Sequence, residues 1–300
     1  MQKRFSQKIL ISVLSVALIV IGIVAYFMSG PLQEVETPPT PETIIVETPP
    51  AVIQPEKKVI GTSVEGRDIE AYTYGNGLKH LLFVGGIHGG YEWNSVVLAY
   101  QFIEYLKENP ESIPESLSIT VIPSANPDGV YAVIGKEGKF TVDEVPKTTG
   151  AVGTGRFNAH NVDLNRNFDC KWKPESMWRG KVVNAGTSAF SEPEAVAIRD
   201  FILKDTPSGV IFWHSQSNAV YASECNEGIL PTTHALMDAY AKASGYPAVS
   251  AFDAYEITGD AEGWLASINI PAITVELKTH EAIEWEMNLL GIKAVFEYFK

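Results

Sequence analysis

The sequence predicts an α/β fold, with a mixed, mostly parallel central sheet and helices on both faces. Apolar runs typical of buried strands alternate along the chain with segments whose apolar residues recur at helical spacing. Such alternation is the pattern of α/β proteins, in which helices cover a central sheet. The chain has 300 residues, 45% of them hydrophobic and 20% charged, and is long enough to bury one substantial core.

Seven segments after Lys58 carry this pattern. The four predicted strands are short apolar runs, at Leu81–Val84, Ser118–Pro123, Gly209–Trp213 and Ala272–Leu277. The three predicted helices repeat apolar residues every three to four positions, at Asn94–Lys107, Glu192–Leu203 and Glu281–Phe299. The segment Ser191-Glu-Pro-Glu194 predicts a capping box at the start of the second helix.

The N-terminus, residues 1–28, is predicted to be a transmembrane signal-anchor. Lys3, Arg4 and Lys8 precede an uncharged apolar run from Ile9 to Met28, and a helix of that length spans about 30 Å, the hydrocarbon thickness of a bilayer. The next basic residue is Lys57, so the positive-inside rule predicts a cytoplasmic N-terminus and an extracytoplasmic remainder. A cleaved signal peptide is the alternative, and it would release the remainder as a secreted protein.

Residues 29–57 are predicted to be an extended extracytoplasmic linker, and residues 58–300 the catalytic domain. Seven of the eighteen prolines fall in the linker among Glu and Thr residues, a composition too poor in apolar surface to fold. Cys170 and Cys225 are the two cysteines, and outside the cytoplasm they would form a disulfide or stay as two buried thiols. The net charge of −13 argues against nucleic acid as a partner.

Two of the predicted strands are followed by residues that bind metals. His88 and Glu92 follow Leu81–Val84 among four glycines, and His214 follows Gly209–Trp213. Together they have the composition of a catalytic zinc site, in which three protein ligands leave one position open. Taken singly, each motif also fits a purely structural interpretation, a surface histidine or a strand-end histidine.

Two further segments carry charged groups with a chemical use. The segment from Arg156 to Arg166, which includes Asn165, combines arginine and asparagine side chains that suit the binding of a carboxylate. Structural ion pairs are the alternative interpretation of these side chains. Glu276 ends the apolar run Ala272–Leu277, where an acid is costly unless it has a partner or a task. General base catalysis beside a zinc ion is such a task.

Six motifs occur in an order that resembles the zinc carboxypeptidase family, and most closely its bacterial branch. They are His88…Glu92, Asn126-Pro-Asp-Gly129, Asp163-Leu-Asn165-Arg166-Asn, His214-Ser215, Tyr255…Gly259…Trp264 and Glu276-Leu-Lys. The opening segment from Ile60 to Arg67 is similar to the start of that family's domain, so the resemblance extends from about Lys58 to Lys300. The bacterial branch includes hydrolases of peptidoglycan peptides.

The resemblance implies the family's fold, one Zn²⁺ per chain, and a role for each matching residue. The metal ligands would be His88, Glu92 and His214, and Glu276 would be the general base and proton donor. Arg156 would polarise the scissile carbonyl group, and Asn165, Arg166 and Tyr255 would bind the terminal carboxylate of the substrate. Asp163 would orient His88. Glu262 falls where the family places the floor of its specificity pocket, and an acid there suits a basic or diaminopimelate-type terminal residue. An exposed acid at a helix start is the alternative interpretation.

One motif departs from the family pattern. Three residues separate His88 from Glu92, whereas the family has two, yet the nearest other acids are Glu65 and Glu104. We therefore expect Glu92 to bind the metal, with the intervening glycines absorbing the extra residue.

The predicted function is zinc-dependent hydrolysis of the C-terminal peptide bond of peptides, including cell-wall stem peptides. Two alternatives remain open, a zinc amidohydrolase of small N-acyl amino acids and a non-catalytic surface binding module. His280-Glu-Ala-Ile-Glu284 lacks the second histidine of the HExxH motif, and we interpret it as part of a surface helix. Cys170 follows Arg166 and Cys225 follows His214, so a disulfide would form if both loops border one cleft.

Overall fold

The computed structural model of the chain describes residues 17–30, 54–147 and 153–300. The chain divides into two compact units, Met1–Pro49 and Pro50–Lys300. In the first unit, residues 17–28 form a helix whose side chains are exposed. Most of the predicted linker, residues 31–53, lies outside the described residues.

Among the helices that the structure describes, none combines the length and the apolar character needed to cross a membrane. The predicted membrane segment, from Ile9 to Met28, includes residues 9–16, which lie outside the described part of the chain. A membrane anchor thus has no support from the structure, and it stays a prediction.

An eight-stranded sheet forms the centre of the second unit, and two further strands form a separate hairpin. In chain order the strands are β1 (Glu56–Thr62), β2 (Asp68–Gly75), β3 (Lys79–Val84), β4 (Leu117–Ile122), β5 (Glu175–Trp178), β6 (Lys181–Asn184), β7 (Gly209–Ser215), β8 (Ala219–Ala222), β9 (Ala248–Val249) and β10 (Ala272–Leu277). The strands of the sheet lie in the order β1-β2-β4-β3-β7-β10-β8-β9, and β5 pairs with β6.

The sheet is mixed, as the sequence predicts, and its centre is parallel. The pairs β4–β3, β3–β7, β7–β10 and β8–β9 are parallel, whereas β1–β2, β2–β4 and β10–β8 are antiparallel. The central strands are mostly apolar because helices cover both of their faces, which is typical of parallel sheets.

The helices of the second unit lie on both faces of the sheet. They are α1 (Trp93–Glu108), α2 (Pro127–Ile134), α3 (Pro193–Asp205), α4 (Pro231–Ser244), α5 (Ala261–Ser267) and α6 (Trp285–Phe299). Helices α1, α4 and α6 pack on one face, against a cluster that includes Phe83 and Trp213. Helices α3 and α5 pack on the other face with Leu82 and Phe212, because neighbouring residues of a strand point to opposite sides.

The four predicted strands are confirmed as β3, β4, β7 and β10, and the three predicted helices as α1, α3 and α6. The predicted start of the last helix at Glu281 is wrong, since α6 begins at Trp285. Glu284 precedes it with a φ of 47°, and its carboxylate accepts a hydrogen bond from the backbone N–H of Lys278 at 3.0 Å. That contact folds residues 279–284 into a loop.

The predicted capping box is also wrong. Glu192, not Ser191, is the N-cap of α3, and it makes no side-chain capping hydrogen bond. The carboxylate of Glu194 instead accepts hydrogen bonds from the backbone N–H of Val64, at 3.1 Å, and from Asn158. A tertiary contact therefore replaces the local one.

The parallel centre of the sheet determines where functional side chains can meet. Strands β3, β7 and β10 are neighbours, so their carboxyl ends lie at one edge, where α/β proteins place their sites. His214 on β7 is in register with Glu276 on β10, and their side chains therefore point to the same side of the sheet.

Candidate active site

His88 and Glu92 reach the site from a tight turn at the end of β3. A 3₁₀ turn, Gly89–Glu92, joins β3 to α1 directly after His88. Gly89 has a φ of 49°, and a Cβ atom there would lie 2.4 Å from the carbonyl oxygen of Gly155. The turn therefore needs glycine at this position, and it accommodates the extra residue between His88 and Glu92.

His88, Glu92 and His214 form a buried cluster of metal-binding side chains. One potential ligand atom from each residue lies within 4.8 Å of the other two. Nδ1 of His88 is buried and has no hydrogen-bond partner, although Asp163 lies 3.5 Å away. Two imidazoles and one carboxylate with an unpaired nitrogen fit a divalent metal such as zinc.

His214 lies between two carboxylates. Its Nδ1 atom is 3.2 Å from Oε2 of Glu92, and its Nε2 atom is 3.0 Å from Oε1 of Glu262. Burial lowers the pKa of His214, but hydrogen bonds to Glu262 and Glu92 outweigh burial and raise this pKa well above its usual value. Nδ1 of His214 thus faces the carboxylate of Glu92, which belongs to the same cluster.

Glu276 carries a carboxyl group that is suited to proton transfer. Its Oε2 atom is buried and has no hydrogen-bond partner. Burial, followed by the negative charge of Glu92, raises the pKa of Glu276 to about 7. A carboxyl group with a pKa near neutrality can take and return a proton at physiological pH.

Arg156 is fixed beside the metal-binding cluster. Its Nε and Nη2 atoms donate to Oδ2 of Asp163 at 3.0 and 2.9 Å, and its Nη1 atom is 3.6 Å from Oε1 of Glu92. The indole ring of Trp178 covers its guanidinium, 4.4 Å from Cζ to the ring centre. Asp163 therefore holds Arg156 by two hydrogen bonds. That Asp163 also orients His88 stays a prediction.

Arg166 is buried, and its guanidinium retains free donors. Nε and Nη2 donate to the carbonyl oxygen of Met177, and Nη1 donates to that of Asn165. Three of the five N–H donors are thus used, which leaves two for a ligand. Oδ1 of Asn165 accepts from the backbone N–H of Ala261 at 2.8 Å, so Asn165 holds the start of α5 beside Arg166.

One cleft of about 480 Å³ contains the predicted site residues other than Asp163 and Cys225. Tyr255 lies in its lining, and burial raises the pKa of Tyr255 despite the opposing charge of Arg166. Asp163 lies just behind the lining, against Arg156. The predicted metal-binding, base and carboxylate-binding residues thus lie around a single space.

Glu262 is in the lining, but its closest contacts are with the protein. The residue is buried, and Oε1 accepts hydrogen bonds from His214 Nε2 and, at 3.0 Å, from the hydroxyl of Thr274. The hydrogen bonds to His214 lower the pKa of Glu262 against the opposing effect of burial, so the carboxylate is ionised. This contact with a metal-binding histidine is one that the sequence does not indicate.

Cys170 and Cys225 are joined in a disulfide, with their Cα atoms 6.1 Å apart. Cys170 lines the cleft, and its carbonyl oxygen accepts from the backbone N–H of Gly259 at 2.7 Å. The bond links the loop after Arg166 to the loop after β8. Both loops therefore border the same cleft.

Tyr91 and His280 form a part of the cleft that the sequence interpretation missed. Their rings are in tilted contact with centres 4.6 Å apart, and Nδ1 of His280 lies 2.7 Å from Oγ of Ser215. His280 belongs to the loop before α6, so its interpretation as part of a surface helix is wrong. The motif around it contains no distinctive spacing, which is why no sequence signal indicates this contact.

Known proteins resemble this chain over most of its described length. A family model described as zinc carboxypeptidase matches residues 54–290. The γ-D-glutamyl-L-diamino acid endopeptidase 1 of Lysinibacillus sphaericus is 24% identical over 238 residues, which are 73% of this chain and 59% of that protein. Murein peptide amidase A of Escherichia coli (strain K12) is 30% identical over 131 residues, 40% of this chain and 50% of that protein. The chain thus spans between half and three fifths of these relatives' lengths.

Two solved structures share the fold. The murein-tripeptide amidase of Escherichia coli O157 has a TM-score of 0.60 at 24% identity, covering 79% of this chain and 92% of its own. Bovine thrombin-activatable fibrinolysis inhibitor, in complex with a tick carboxypeptidase inhibitor, has a TM-score of 0.67 at 19% identity, covering 82% and 90%. The family match extends over more than three quarters of the sequence, and the chain belongs to the zinc carboxypeptidase family.

Proposed function

We propose that the chain is a zinc-dependent carboxypeptidase that hydrolyses the last peptide bond of peptides. The observation that carries the proposal is that one cleft holds three kinds of functional group. It combines the His88, Glu92 and His214 cluster, the carboxyl group of Glu276 and the partly free guanidinium of Arg166. A non-catalytic binding module would not need a buried carboxyl group with a pKa near 7 beside a metal site.

The metal would be held by His88, Glu92 and His214, the three donors that meet within 4.8 Å. Zn²⁺ at this position supplies Lewis-acid charge for the scissile carbonyl group. Glu262 fixes the orientation of His214 through Nε2, which leaves the Nδ1 lone pair directed toward Glu92.

Glu276 would move the proton in both halves of the reaction. As the ionised base it takes a proton from the attacking water, and as the resulting acid it returns that proton to the leaving nitrogen. Arg156, held by Asp163 and Trp178, places its positive charge beside the reacting carbonyl group, where negative charge develops.

Arg166 would make the enzyme specific for the C-terminal end of its peptide substrate. Its two free N–H donors match the two oxygens of a C-terminal carboxylate, and Asn165 and Tyr255 lie in the same part of the cleft. A substrate without a free C-terminus would leave this buried guanidinium unpaired, which is costly.

The names of the relatives support cell-wall stem peptides as the substrate class. One relative is named for γ-D-glutamyl-L-diamino acid bonds and another for murein peptide. Asp260 and Glu262 also line the cleft and would face an amino group on the released residue, as in lysine or diaminopimelate. A volume of about 480 Å³ is larger than a small N-acyl amino acid needs, which favours peptides.

We also propose that the catalytic unit lies outside the cytoplasm. The disulfide between Cys170 and Cys225 supports this location, because such bonds persist in oxidising compartments.

A Glu276→Gln variant tests the proposed reaction. We expect release of the C-terminal residue, measured by mass spectrometry, to fall by about 10²- to 10⁴-fold, while the zinc content stays that of the parent. Glu281→Gln, which removes an exposed acid from the next loop, is the matched control and should keep full activity.

Two results would contradict the proposal. One is normal turnover by Glu276→Gln, which would remove the general base from the mechanism. The other is equal cleavage by the parent of a peptide and its C-terminal amide, which would exclude carboxylate binding by Arg166.

A further inference from the structure

The tip of the β5–β6 hairpin is fixed against the cleft. Its two turn residues, Arg179 and Gly180, both have positive φ, 49° and 75°, which is the geometry of a tight two-residue hairpin. Oγ of Ser176 lies 2.8 Å from Oγ1 of Thr258, and the carbonyl oxygen of Met177 accepts from Arg166. The hairpin therefore cannot move away without breaking contacts inside the site.

The hairpin tip continues into the wall formed by Tyr91 and His280. Nη1 of Arg179 donates to the hydroxyl of Tyr91 at 3.3 Å, and the Tyr91 ring contacts the ring of His280. His280 is held in turn by Ser215. These residues, which we call the Tyr91 wall (Tyr91, Arg179, Ser215 and His280), all line the cleft.

Arg179 differs in its ion pairs from three of the five arginines that the structure describes. Within residues 54–147 and 153–300, three arginines lie within 4.0 Å of a carboxylate: Arg67, Arg156 and Arg199. Neither of the other two, Arg166 and Arg179, has such a partner in that part of the chain, and both line the cleft. In a protein of net charge −13, two arginines of one cleft without a carboxylate partner point to an anionic substrate.

The two arginines differ in their contacts. Arg166 contacts Asn165 and Met177, whereas Arg179 contacts Tyr91, the residue directly before Glu92. In the described residues no hydrogen bond or ring contact joins the Tyr91 wall to Arg166, Asn165 or Tyr255. If Arg166 holds the released residue, the Tyr91 wall borders the residue on the other side of the scissile bond.

We propose that Arg179 binds a second free carboxylate, carried by the substrate residue that precedes the scissile bond. This inference rests on the proposed function and adds a specificity residue to it. Two kinds of peptide carry such a group: one with an aspartate or glutamate side chain at that position, and one with a glutamate linked through its γ-carboxyl group, whose α-carboxylate stays free. In either case guanidinium and carboxylate pair with matching geometry.

A pair of substrates that differ by one charge tests the proposal. Both are tripeptides in which glutamate is joined through its γ-carboxyl group to a C-terminal lysine, and in the second the α-carboxylate of that glutamate is amidated. We expect the parent to prefer the free carboxylate by about 3- to 20-fold in kcat/KM, as for one charged hydrogen bond at a partly exposed site. In Arg179→Gln the ratio should fall to about 1, and Arg179→Lys should retain part of it.

Lys181→Gln is the matched control, because it removes one positive charge from an exposed position of the same hairpin. It should keep the parent's ratio. A second pair, with α-linked glutamate and glutamine before the lysine, identifies the source of the carboxylate: a preference in the first pair alone assigns Arg179 to the α-carboxylate of a γ-linked glutamate, and a preference in the second pair alone assigns it to side-chain carboxylates. Parent ratios near 1 in both pairs, or a preference that Arg179→Gln does not diminish, would overturn the proposal.

The same ratio can be measured without turnover. Dissociation constants of the substrate pair for Glu276→Gln, with and without Arg179→Gln, give the contribution of Arg179 to binding. Failure of the parent to cleave any peptide would contradict the proposed function, whereas this binding ratio would still decide the role of Arg179.

Discussion

The Nε2 side of His214 is held by the buried acid Glu262. Glu262 accepts the Nε2–H of His214 at 3.0 Å, and Thr274 donates to the same carboxylate oxygen. A hydrogen bond at one imidazole nitrogen fixes the tautomer and directs the other lone pair to a metal. Glu262 thus has a structural task beside any contact with substrate.

Replacing Glu262 with alanine should weaken zinc binding by about 10- to 100-fold, because His214 loses the group that orients it. Glu262→Gln, which keeps an acceptor oxygen, should recover part of the affinity. Competition with a chelator of known affinity measures both. Glu256→Ala removes an exposed acid that lines the same cleft and should bind zinc as the parent does. Parental zinc affinity in Glu262→Ala, with a lost preference for basic terminal residues, would assign Glu262 to the substrate pocket alone.

The raised pKa of Glu276 makes a prediction about stability in the metal-free protein. Its value is about 7 in the folded chain against 4.5 for the unperturbed group, so folding favours the protonated form. The stabilisation is complete below pH about 4.5 and is lost as the pH rises through 7. The difference in unfolding free energy between parent and Glu276→Gln should therefore shift by about 2 to 3 kcal/mol between pH 5 and 8.

Urea denaturation in the presence of a chelator measures this difference. Glu281→Gln, which removes an exposed carboxyl group from the loop before α6, is again the control. A pH-independent difference for Glu276→Gln would show that the Glu276 carboxyl group has an ordinary pKa.

At the scale of single residues, the sequence predicts the functional residues that lie at the ends of strands. His214 and Glu276 are predictable because each follows a continuous apolar run, and the parallel register then brings them together. The contact of Glu262 with His214 is not predictable in this way, because it depends on how α5 packs against β10. The ring contact between Tyr91 and His280 likewise joins two segments that are distant in sequence.

At the scale of secondary structure, the 3₁₀ turn after β3 determines whether the extra residue between His88 and Glu92 is tolerated. Gly89→Ala should lower the free energy of unfolding by at least about 2 kcal/mol and reduce zinc binding, because its Cβ atom would collide with Gly155 in a positive-φ conformation. Gly138→Ala is the matched control, with a φ of 72° and open space around it. It should cost about 1 kcal/mol and keep the metal. Equal effects of the two substitutions would mean that the packing of the turn does not matter.

Strands buried on both faces were easier to predict than the other strands. Strands β3, β4, β7 and β10 are buried on both faces and give continuous apolar runs, whereas β8 and β9 have four and two residues. The β5–β6 hairpin, which carries Trp178 and Arg179, contains polar residues and no alternation that marks it as a strand pair. Its position depends on contacts with Arg156 and Arg166.

At the scale of the whole molecule, the net charge bears on the kind of substrate, and the disulfide bears on the compartment. An acidic chain of net charge −13 leaves two arginines of its cleft without a carboxylate partner in the described residues, which favours substrates with free carboxylates. The disulfide supports a location outside the cytoplasm, where cell-wall peptides are found. Family membership, the cluster that could hold a metal ion and the proposed base Glu276 are consistent with the same class of reaction.

The zinc content of the purified full-length chain tests the central claim most directly. Elemental analysis should find one zinc per chain in the parent and a marked loss in Glu92→Ala, since that variant removes one of three ligands. A parent that binds no zinc after reconstitution, or a Glu92→Ala variant that retains one zinc per chain, would contradict the metal site and the mechanism that depends on it.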